Sequence, residues 1–542
     1  MFKPRYLPLL ALSCLAACSP AKTVRSTNEP AAAQIVASSP AAAEQARNLI
    51  IFIGDGMGLT TATAARILEG QLAGGPGEEN LLAFEEFPHI ALAKTYNSNQ
   101  QTPDSAGTAT AIMTGVKTRA GVINIGSGNR LGDCAGSHNH RLMSLSELAR
   151  AAGLATGIVT TTRITHATPA TTYARSAHRN WEVDSAMPAQ ALADGCVDIA
   201  RQLLEPADGR GHDVVLGGGR AVFMPADQSD PEYPDRRGSR ADGRDLIGEW
   251  QARGDRFVWN AGQLADIGAD SYERVLGLFE PSHMRYELER GDDPGGEPSL
   301  AQMTIKAMEL LASRGSGYVL MVEAGRIDHG HHAGNAARAL HDTVALSAAV
   351  RAAVARADSE TLILVTSDHS HVFTMAGYPT RGNPILGLVH GNDQHGEPAR
   401  EPTLDGLGQP YTTLGYANGP GYLGASDRQP EGNKTYPHIP GSFQRLGHDP
   451  DHAHAALDQQ RVTDINFMQS AAVALASETH GGEDVPVYAT GPGADQVRGV
   501  IEQNLLFRLL VQAQPALRAE LCRRQACPEQ PRAAWAAPTL PR

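Results

Sequence analysis

The chain has few aromatic residues and no excess of basic charge. Aromatic side chains make up 5% of its 542 residues, and the formal net charge at pH 7 is −13. Non-specific nucleic-acid binding needs a basic surface, so this charge argues against a nucleic-acid-binding protein. Hydrophobic residues make up 42% of the chain, which is ample for a large core. The length allows two or three domains, or one large α/β domain with insertions.

The mature chain has no apolar run that could span a bilayer. The N-terminal run, residues 7–17, follows two basic residues and is too short for a mature spanning helix. It ends before Cys18, and this pattern resembles a bacterial lipoprotein signal. We therefore expect residues 1–17 to be a signal peptide and Cys18 to carry a lipid. The protein would then be periplasmic or associated with the outer membrane, held by a lipid anchor alone.

A plain secretory signal, cut at an Ala-x-Ala-like site, is the alternative to the lipoprotein signal. In either case the next segment has a composition unlike that of a folded domain. Residues 18–46 are rich in Ala, Ser, Thr and Pro and show no apolar periodicity. This composition predicts a disordered tether.

Cysteine is scarce, and its number indicates disulfides. Of six cysteines, Cys14 lies in the signal and Cys18 would be the lipid site, which leaves Cys134, Cys196, Cys522 and Cys527. An even set in an exported protein usually pairs. The sequence allows three pairings. Cys522–Cys527 is the plausible local one, and it would leave Cys134 to pair with Cys196. A zinc site built from these cysteines is weaker, because there is no second close pair.

Three short apolar runs are each followed by side chains that bind metals. The runs are residues 49–53, 318–322 and 361–366, and they predict buried parallel strands. The acids and histidines that follow them include Asp55, Glu323, Asp328, His332, Asp368 and His369. Active sites of open α/β sheets lie at the carboxyl ends of strands. A dinucleotide-binding turn does not fit, because Gly54–Gly58 lacks the G-x-G-x-x-G spacing and contains an acid.

Residues 102–115 predict a helix that begins near Asp104 or Ser105. A serine at that position can cap the helix. It can also act as a nucleophile beside amides and a dipole that favour anions. The G-x-S-x-G elbow is absent, so an esterase of the α/β-hydrolase kind is not indicated.

Other segments predict the remaining elements. We expect strands at 155–161, 214–216 and 486–490, and helices at about 60–68, 335–356 and 499–513, the last stopped by Pro515. Residues 377–465 lose apolar periodicity and predict an exposed insert. Within the insert, a solvated loop is a better interpretation than a metal site for His448, Asp449, Asp451, His452 and His454.

Together these elements predict an α/β fold with a large doubly wound sheet between helices. Such a sheet would bring the serine, acids and histidines to one rim. So many carboxylates repel one another unless cations neutralise them. Histidine with aspartate favours zinc, whereas glutamate and aspartate with a threonine hydroxyl favour magnesium. Two metals about 4 Å apart can hold the attacking and leaving oxygens of a phosphoryl transfer.

Six motifs give the chain a specific family resemblance: IFIGDGMG, DSAGTATA, VTTTRITHATPATTY, VEAGRIDHGHHAGN, VTSDHSH and THGGEDVPVYATGP. The sequence resembles the alkaline phosphatases, especially the animal and related bacterial branch, over residues 48–528. The resemblance implies a metal-dependent phosphomonoesterase that works through a phosphoserine. It also implies a homodimer, a catalytic domain over residues 47–528 with a crown-like insert, and a disordered tail at 529–542.

The resemblance also implies roles for individual residues. Ser105 matches the nucleophile and Arg179 the arginine that holds phosphate. The ligands of the first zinc match Asp328, His332 and His480. Those of the second zinc match Asp55, Asp368 and His369, and those of magnesium match Asp55, Thr168 and Glu323. His166 and His329 match positions near the metals.

A calcium site and two disulfides are implied as well. Glu232, the Phe279 carbonyl and Glu280 match calcium ligands of the animal branch, and Glu297 aligns with a ligand that is usually aspartate. The implied disulfides are Cys134–Cys196 and Cys522–Cys527.

Two alternatives remain. Phosphodiesterases and sulfatases share the superfamily, but diesterases often use threonine and sulfatases a C/S-x-P-x-R setting, whereas this chain has Ser105 and Arg179. A metal-binding lipoprotein with a vestigial site is the second alternative, and the complete set of ligands argues against it.

Overall fold

The computed structural model describes residues 45–269, 274–447 and 457–524, which belong to one compact unit. Several predictions from the sequence fall outside these residues. They are the signal peptide, the lipid site Cys18, most of the tether, Cys527 with its pairing to Cys522, the tail, and the residues His448, Asp449, Asp451, His452 and His454.

Ten of the described strands form one sheet, in the order β15-β2-β14-β8-β1-β7-β3-β4-β6-β5. The strands are β1 Asn48–Gly54, β2 His89–Lys94, β3 Ala155–Arg163, β4 Val214–Gly218, β5 Arg256–Val258, β6 Val275–Leu278, β7 Tyr318–Ala324, β8 Thr361–Thr366, β9 Ser370–His371, β10 Phe373–Met375, β11 Leu414–Gly419, β12 Ala471–Ala474, β13 His480–Gly481, β14 Val485–Thr490 and β15 Gly499–Glu502. Within the large sheet, β14 runs antiparallel to β2 and β8, and the other neighbouring strands are parallel.

The helices lie mostly between strands. The described α-helices are Leu59–Leu72, Ser105–Thr114, Cys134–Ser137, Leu145–Ala151, Ala167–Ala170, Ala189–Ala193, Ile199–Leu204, Leu246–Ala252, Ala261–Ala265, Leu300–Ala312, Arg326–His332, Ala336–Arg356, Gln459–Val462, Leu505–Ala513 and Pro515–Arg523. Short 3-10 helices span Asp184–Ala186, Arg220–Phe223, Glu287–Asp292 and Ala494–Gln496.

The central strand β1 shows why helices cover both faces of the sheet. All seven of its residues are buried. Leu49, Ile51 and Ile53 belong to the apolar cluster on one face, and Ile50 and Phe52 to the cluster on the other. A continuous apolar run is the expected pattern for a parallel strand that is buried on both sides. The predicted α/β class, with a large sheet between helices, is confirmed.

The predicted C-terminal helix was wrong in its boundaries. Residues 499–502 form β15, which pairs in parallel with β2, and the helix starts at Leu505. Pro515 does not stop the chain from being helical, because it opens a second helix, Pro515–Arg523. Proline lacks an N–H, and the first turn of a helix does not need one. The helix predicted at 60–68 is also longer, Leu59–Leu72.

Strand order places the predicted site residues at one end of the sheet, beside the carboxyl ends of neighbouring strands. Strands β8, β1, β7 and β3 are neighbours, and Ile53 in β1 pairs with Glu323 on one side and Thr366 on the other. Their carboxyl ends therefore lie side by side. The small antiparallel pair β9–β13 adds to this end of the sheet, because it pairs His371 with His480. Residues far apart in the sequence thus meet at one end of the sheet.

One strand of the predicted insert, β11, joins two strands that lie just outside residues 377–465. It pairs antiparallel with β10 and parallel with β12. No helix within residues 45–269, 274–447 and 457–524 has both the length and the apolarity that crossing a bilayer requires.

The Cys134–Cys196 disulfide expected from the sequence is present in the structure, and it joins cysteines 62 residues apart. Closing a loop of this length restricts the unfolded chain, and the entropic estimate is about 4 kcal/mol of stability. We predict that the double variant Cys134→Ala/Cys196→Ala unfolds at a clearly lower urea concentration than the oxidised wild type. An unchanged midpoint, with the disulfide verified in the wild type by mass spectrometry, would contradict this prediction.

Candidate active site

Ser105 is the first residue of a helix made of small side chains, Ser105–Thr114. Asp104 caps this helix by accepting a hydrogen bond from the Gly107 N–H at 3.1 Å. The small residues allow close packing, because a Cβ on Gly107 would lie 2.3 Å from the Asn97 side chain. Ser105 is buried, and its Oγ lies 3.0 Å from His369 Nε2. The hydroxyl thus sits where the helix dipole and free amides favour an anion.

A first cluster of hydrogen-bond acceptors surrounds the Ser105 hydroxyl. His369 Nδ1 lies 3.3 Å from the Ser370 carbonyl, which can only accept, so the proton of the neutral ring is on Nδ1. The free Nε2 then faces Asp55 Oδ1 at 3.4 Å and Asp368 Oδ2 at 3.3 Å. Asp55 Oδ1 is buried without a hydrogen-bond partner. A nitrogen lone pair and two carboxylates therefore converge as zinc ligands do.

A second cluster, at Asp328, has the same character. His332 Nδ1 donates to the Glu478 carbonyl at 2.6 Å, and His480 Nδ1 donates to the Pro103 carbonyl at 2.7 Å. Both Nε2 atoms are therefore acceptors, yet they lie only 3.1 Å apart. Asp328 Oδ1 lies 3.3 Å from one and 3.5 Å from the other. Such an arrangement is repulsive without a cation and has the donor set of a zinc site.

A third cluster contains more oxygen. Glu323 accepts hydrogen bonds from Thr160 and, at 3.1 Å, from Thr162, while its Oε1 is buried without a partner. Thr168 Oγ1 donates to Asp55 Oδ2 at 3.5 Å. Candidate ligand atoms of Asp55, Glu323 and His166 all lie within 4.8 Å of one another. Carboxylates with a hydroxyl suit a hard cation such as magnesium.

The pKa values of these groups reflect the excess of acids. Burial, followed by the charges of Asp368, Asp328 and Glu323, raises the pKa of Asp55 well above its usual value. Burial also raises the pKa of Glu323 to about 7. Burial lowers the pKa of His369 well below its usual value, so its ring is neutral and able to bind a metal.

Arg179 supplies positive charge at the edge of the serine site. Its Nη1 donates to Asp104 Oδ2 at 3.1 Å, and its Nη2 donates to His166 Nε2 at 3.1 Å. Asp104 therefore both caps the helix that begins at Ser105 and orients the arginine. A guanidinium fixed in this way is suited to binding phosphate oxygens at two points.

Sequence reasoning missed His371 and Glu478 as site residues. Burial lowers the pKa of His371, but the Glu478 and Asp328 carboxylates outweigh burial and raise it to about 10. The ring contacts Asp328 Oδ1 at 2.9 Å and Glu478 Oε2 at 2.5 Å. His371 thus orients a carboxylate of the second cluster. The signal was its place two residues after His369, but only the β9–β13 pairing shows what it contacts.

Comparisons with known proteins agree with this geometry. The family model for alkaline phosphatase matches residues 46–515. The chain belongs to the alkaline phosphatase family. The tissue-nonspecific alkaline phosphatase of Gallus gallus is 44% identical over 470 residues, which cover 85% of this chain and 83% of that protein. The human tissue-nonspecific isozyme is 42% identical over 478 residues, with 86% and 83% covered.

Solved alkaline phosphatases share the fold. The Thermus thermophilus enzyme has a TM-score of 0.60 and 27% identity, and the match covers 88% of this chain and 93% of that one. The enzyme of the Antarctic bacterium TAB5 has a TM-score of 0.56 at 21% identity, covering 87% and 99%. The predicted activity is confirmed: as an alkaline phosphatase, the protein is a metal-dependent phosphomonoesterase, with metal-binding clusters of histidine and aspartate.

The structure brings together every alkaline-phosphatase residue expected at the zinc, magnesium and phosphate sites. Those residues are Asp55, Ser105, His166, Thr168, Arg179, Glu323, Asp328, His332, Asp368, His369 and His480. His329 lies beside them: its ring centroid is 5.4 Å from that of His166, and its Nδ1 contacts Arg326 at 3.0 Å.

The residues expected at a calcium site form a separate group. Glu232 accepts from Arg220 at 2.8 Å and from the Gly295 N–H at 3.1 Å. Glu280 accepts from Tyr233 at 3.0 Å. Glu297 accepts from the Arg285 N–H, and burial raises its pKa to about 9.

Phe279, which is expected to bind calcium through its carbonyl, directly precedes Glu280 in the chain, and its side chain packs in the core cluster on one face of the sheet. One further carboxylate, Asp293, lies in the same group, and the sequence comparison did not select it. It shares Tyr233 with Glu280, because the Tyr233 hydroxyl lies 3.3 Å from Asp293 Oδ1.

We predict that His371→Ala weakens metal retention at the Asp328 cluster about 10–100-fold, because groups that orient metal ligands contribute this much to affinity. Zinc content after dialysis against a graded chelator series measures the effect. His395→Ala, at an exposed position, is the control and should match the wild type. Equal zinc retention in the two variants would show that His371 does not support the site.

Proposed function

We propose that this alkaline phosphatase hydrolyses a broad range of phosphate monoesters through a phosphoserine at Ser105, with two zinc ions and one magnesium ion. The observation that supports this proposal most is the position of the Ser105 hydroxyl. It lies at a helix N-terminus, 3.0 Å from His369 Nε2, a nitrogen that carries no proton. Asp328, His332 and His480 would hold one zinc, and Asp55, Asp368 and His369 the other. Asp55, Thr168 and Glu323 would hold magnesium.

Ser105, Arg179 and Asp104 each have a defined part in this chemistry. Ser105 Oγ attacks phosphorus, and the bond from phosphorus to the leaving oxygen breaks. The helix N-terminus and the Arg179 guanidinium hold the other phosphate oxygens while negative charge develops. Asp104 keeps that guanidinium in place through its 3.1 Å contact. Bound zinc would supply the charge that stabilises the serine alkoxide and the leaving oxygen.

Hydrolysis of the phosphoserine then releases phosphate and restores the Ser105 hydroxyl. Each of the two displacements inverts phosphorus, so the overall reaction retains its configuration. His369 Nε2 faces the Ser105 hydroxyl without a proton, and in this proposal it would be occupied as a zinc ligand. Because the bound cation would stabilise the alkoxide, the serine proton would pass to solvent without a histidine base.

Phosphodiesterase or sulfatase activity is the competing proposal. Arg179, which Asp104 holds beside Ser105, favours monoesters, because its guanidinium offers N–H donors to a dianionic phosphate. The vestigial metal-binding lipoprotein is the second alternative. It would bind the same metals but would not turn over substrate.

Two further features are proposed from the family resemblance. They are a calcium ion held by Glu232, the Phe279 carbonyl, Glu280 and Glu297, and a homodimer. Export with a lipid at Cys18 is proposed from the N-terminal signal pattern. The proposed domain limits are a catalytic domain at 47–528 with an insert at about 377–465. The Cys134–Cys196 disulfide supports export, because disulfides persist in oxidising compartments.

Replacing the nucleophile tests the phosphoserine directly. We predict that Ser105→Ala lowers kcat for p-nitrophenyl phosphate by at least about 10³-fold, as expected when a nucleophile is lost. Phosphate affinity should change little, since Arg179 and the metal clusters remain. Acid-quenched mass spectrometry with labelled substrate should find phosphate on Ser105 in the wild type alone. Wild-type turnover in the variant would refute the assignment.

Substrate class is tested with chelator-treated enzyme that is given back zinc and magnesium. The proposal expects restored hydrolysis of p-nitrophenyl phosphate and much slower hydrolysis of bis-p-nitrophenyl phosphate and p-nitrophenyl sulfate. A faster diester or sulfate would favour the competing enzymes. Tight metal binding without turnover of any substrate would favour the vestigial lipoprotein.

A further inference from the structure

Two carboxylates at the expected calcium site, Glu280 and Asp293, contact a cation that the chain itself supplies, the Arg285 guanidinium. Arg285 Nε lies 3.3 Å from Glu280 Oε1 and 3.3 Å from Asp293 Oδ1. Its Nη2 donates to the Tyr233 hydroxyl at 3.2 Å. That hydroxyl in turn lies 3.0 Å from Glu280 and 3.3 Å from Asp293. One guanidinium and one hydroxyl therefore connect the same two carboxylates.

These carboxylates need a cation because they are buried. The side chains of Glu280 and Asp293 are 7% and 1% exposed. Glu232 is 2% exposed, and it shares the Arg220 guanidinium with Asp230, at 2.8 Å and 2.7 Å. Among the described residues, Arg285 is the cation that contacts Glu280 and Asp293.

We propose that the Arg285 guanidinium is a tethered cation that holds Glu280 and Asp293 together without calcium, and that calcium must displace it in order to bind. This inference rests on the calcium site proposed above. Calcium takes six to eight oxygen ligands at about 2.3–2.6 Å. A guanidinium nitrogen shared by two of those carboxylates would repel the ion and occupy their lone pairs. The Arg285 side chain is 30% exposed, so it has a path into solvent.

The same contacts indicate that Asp293 takes the position in the calcium site that the sequence predicted for Glu297. Both Glu297 oxygens accept from the Arg285 backbone N–H, at 3.1 and 3.2 Å. Glu297 is therefore fixed to the main chain, whereas Asp293 faces the guanidinium. The Glu297 N–H also donates to Asp293 Oδ2 at 2.8 Å, which orients that carboxylate. Displacement of Arg285 would leave Glu280 and Asp293 as the pair that meets the incoming cation.

Arg285→Met tests the proposal, because methionine keeps much of the apolar stem and removes the charge. Arg290→Met is the matched control: Arg290 is also 30% exposed, but it pairs with Glu287 at 2.9 Å outside the group. Zinc- and magnesium-loaded enzyme is titrated calorimetrically with calcium chloride, and its melting temperature is recorded with and without a calcium-selective chelator. We expect Arg285→Met to bind calcium at least about tenfold more tightly than the wild type.

The melting temperature should give a matching result. Chelation should lower it in Arg285→Met and leave the wild type and Arg290→Met unchanged. Adding Asp293→Asn to Arg285→Met should weaken calcium binding more than adding Glu297→Gln. Equal calcium affinity in Arg285→Met and the wild type would overturn the tethered-cation proposal and leave the calcium site standing. Absence of calcium binding in both proteins would overturn the calcium site itself.

A second variant and a second measurement cover the case in which Arg285→Met does not fold. Arg285→Lys keeps a cation at this position and should have the weak calcium affinity of the wild type. Wild-type crystals soaked in calcium chloride should show the guanidinium moved away from Glu280 and Asp293. Calcium bound at these carboxylates with Arg285 still in contact would overturn the proposal.

Discussion

The active site depends on a convergence of acceptors that the nearby proton donors satisfy only in part. His332 Nε2 and His480 Nε2 lie 3.1 Å apart, each ring having its proton on the opposite nitrogen, and Asp328 faces both. Asp55 and Glu323 have buried oxygens without partners. This arrangement costs free energy unless cations neutralise it. The fold tolerates it because the core on both faces of the ten-stranded sheet fixes the strand ends.

At the expected calcium site, the negative charge of the carboxylates is compensated in another way. There the chain places Arg220 and Arg285 directly against the carboxylates. At the catalytic clusters, arginine stays at the edge, where Arg179 contacts Asp104 and His166. A fixed guanidinium stabilises acids but cannot act as a Lewis acid. The separation of the two kinds of site is therefore consistent with catalysis at one and structural support at the other.

Local patterns predicted much of this arrangement. Apolar runs followed by acids identified β1, β7 and β8. Parallel strands bring their carboxyl ends together, so the sequence pattern alone was enough to group Asp55, Glu323 and Asp368. Ser105 could be placed at a helix start from Asp104 and the small residues after it. Family resemblance, more than spacing, selected Arg179 and His480.

The errors arose where long-range pairing decides the outcome. Residues 499–502 form a strand because they pair with β2, and nothing in the local sequence indicates this pairing. His371 becomes a positioning residue only through the β9–β13 pair. Asp293 was missed because the sequence comparison favoured Glu297, while the fold turned Asp293 toward Arg285.

Anomalous diffraction at the zinc edge, from crystals of the metal-loaded enzyme, would locate the zinc ions. We expect two zinc peaks about 4 Å apart. One would lie among Asp328, His332 and His480, and the other among Asp55, Asp368 and His369 beside Ser105 Oγ. Fully active crystals without zinc at these two positions would contradict this expectation.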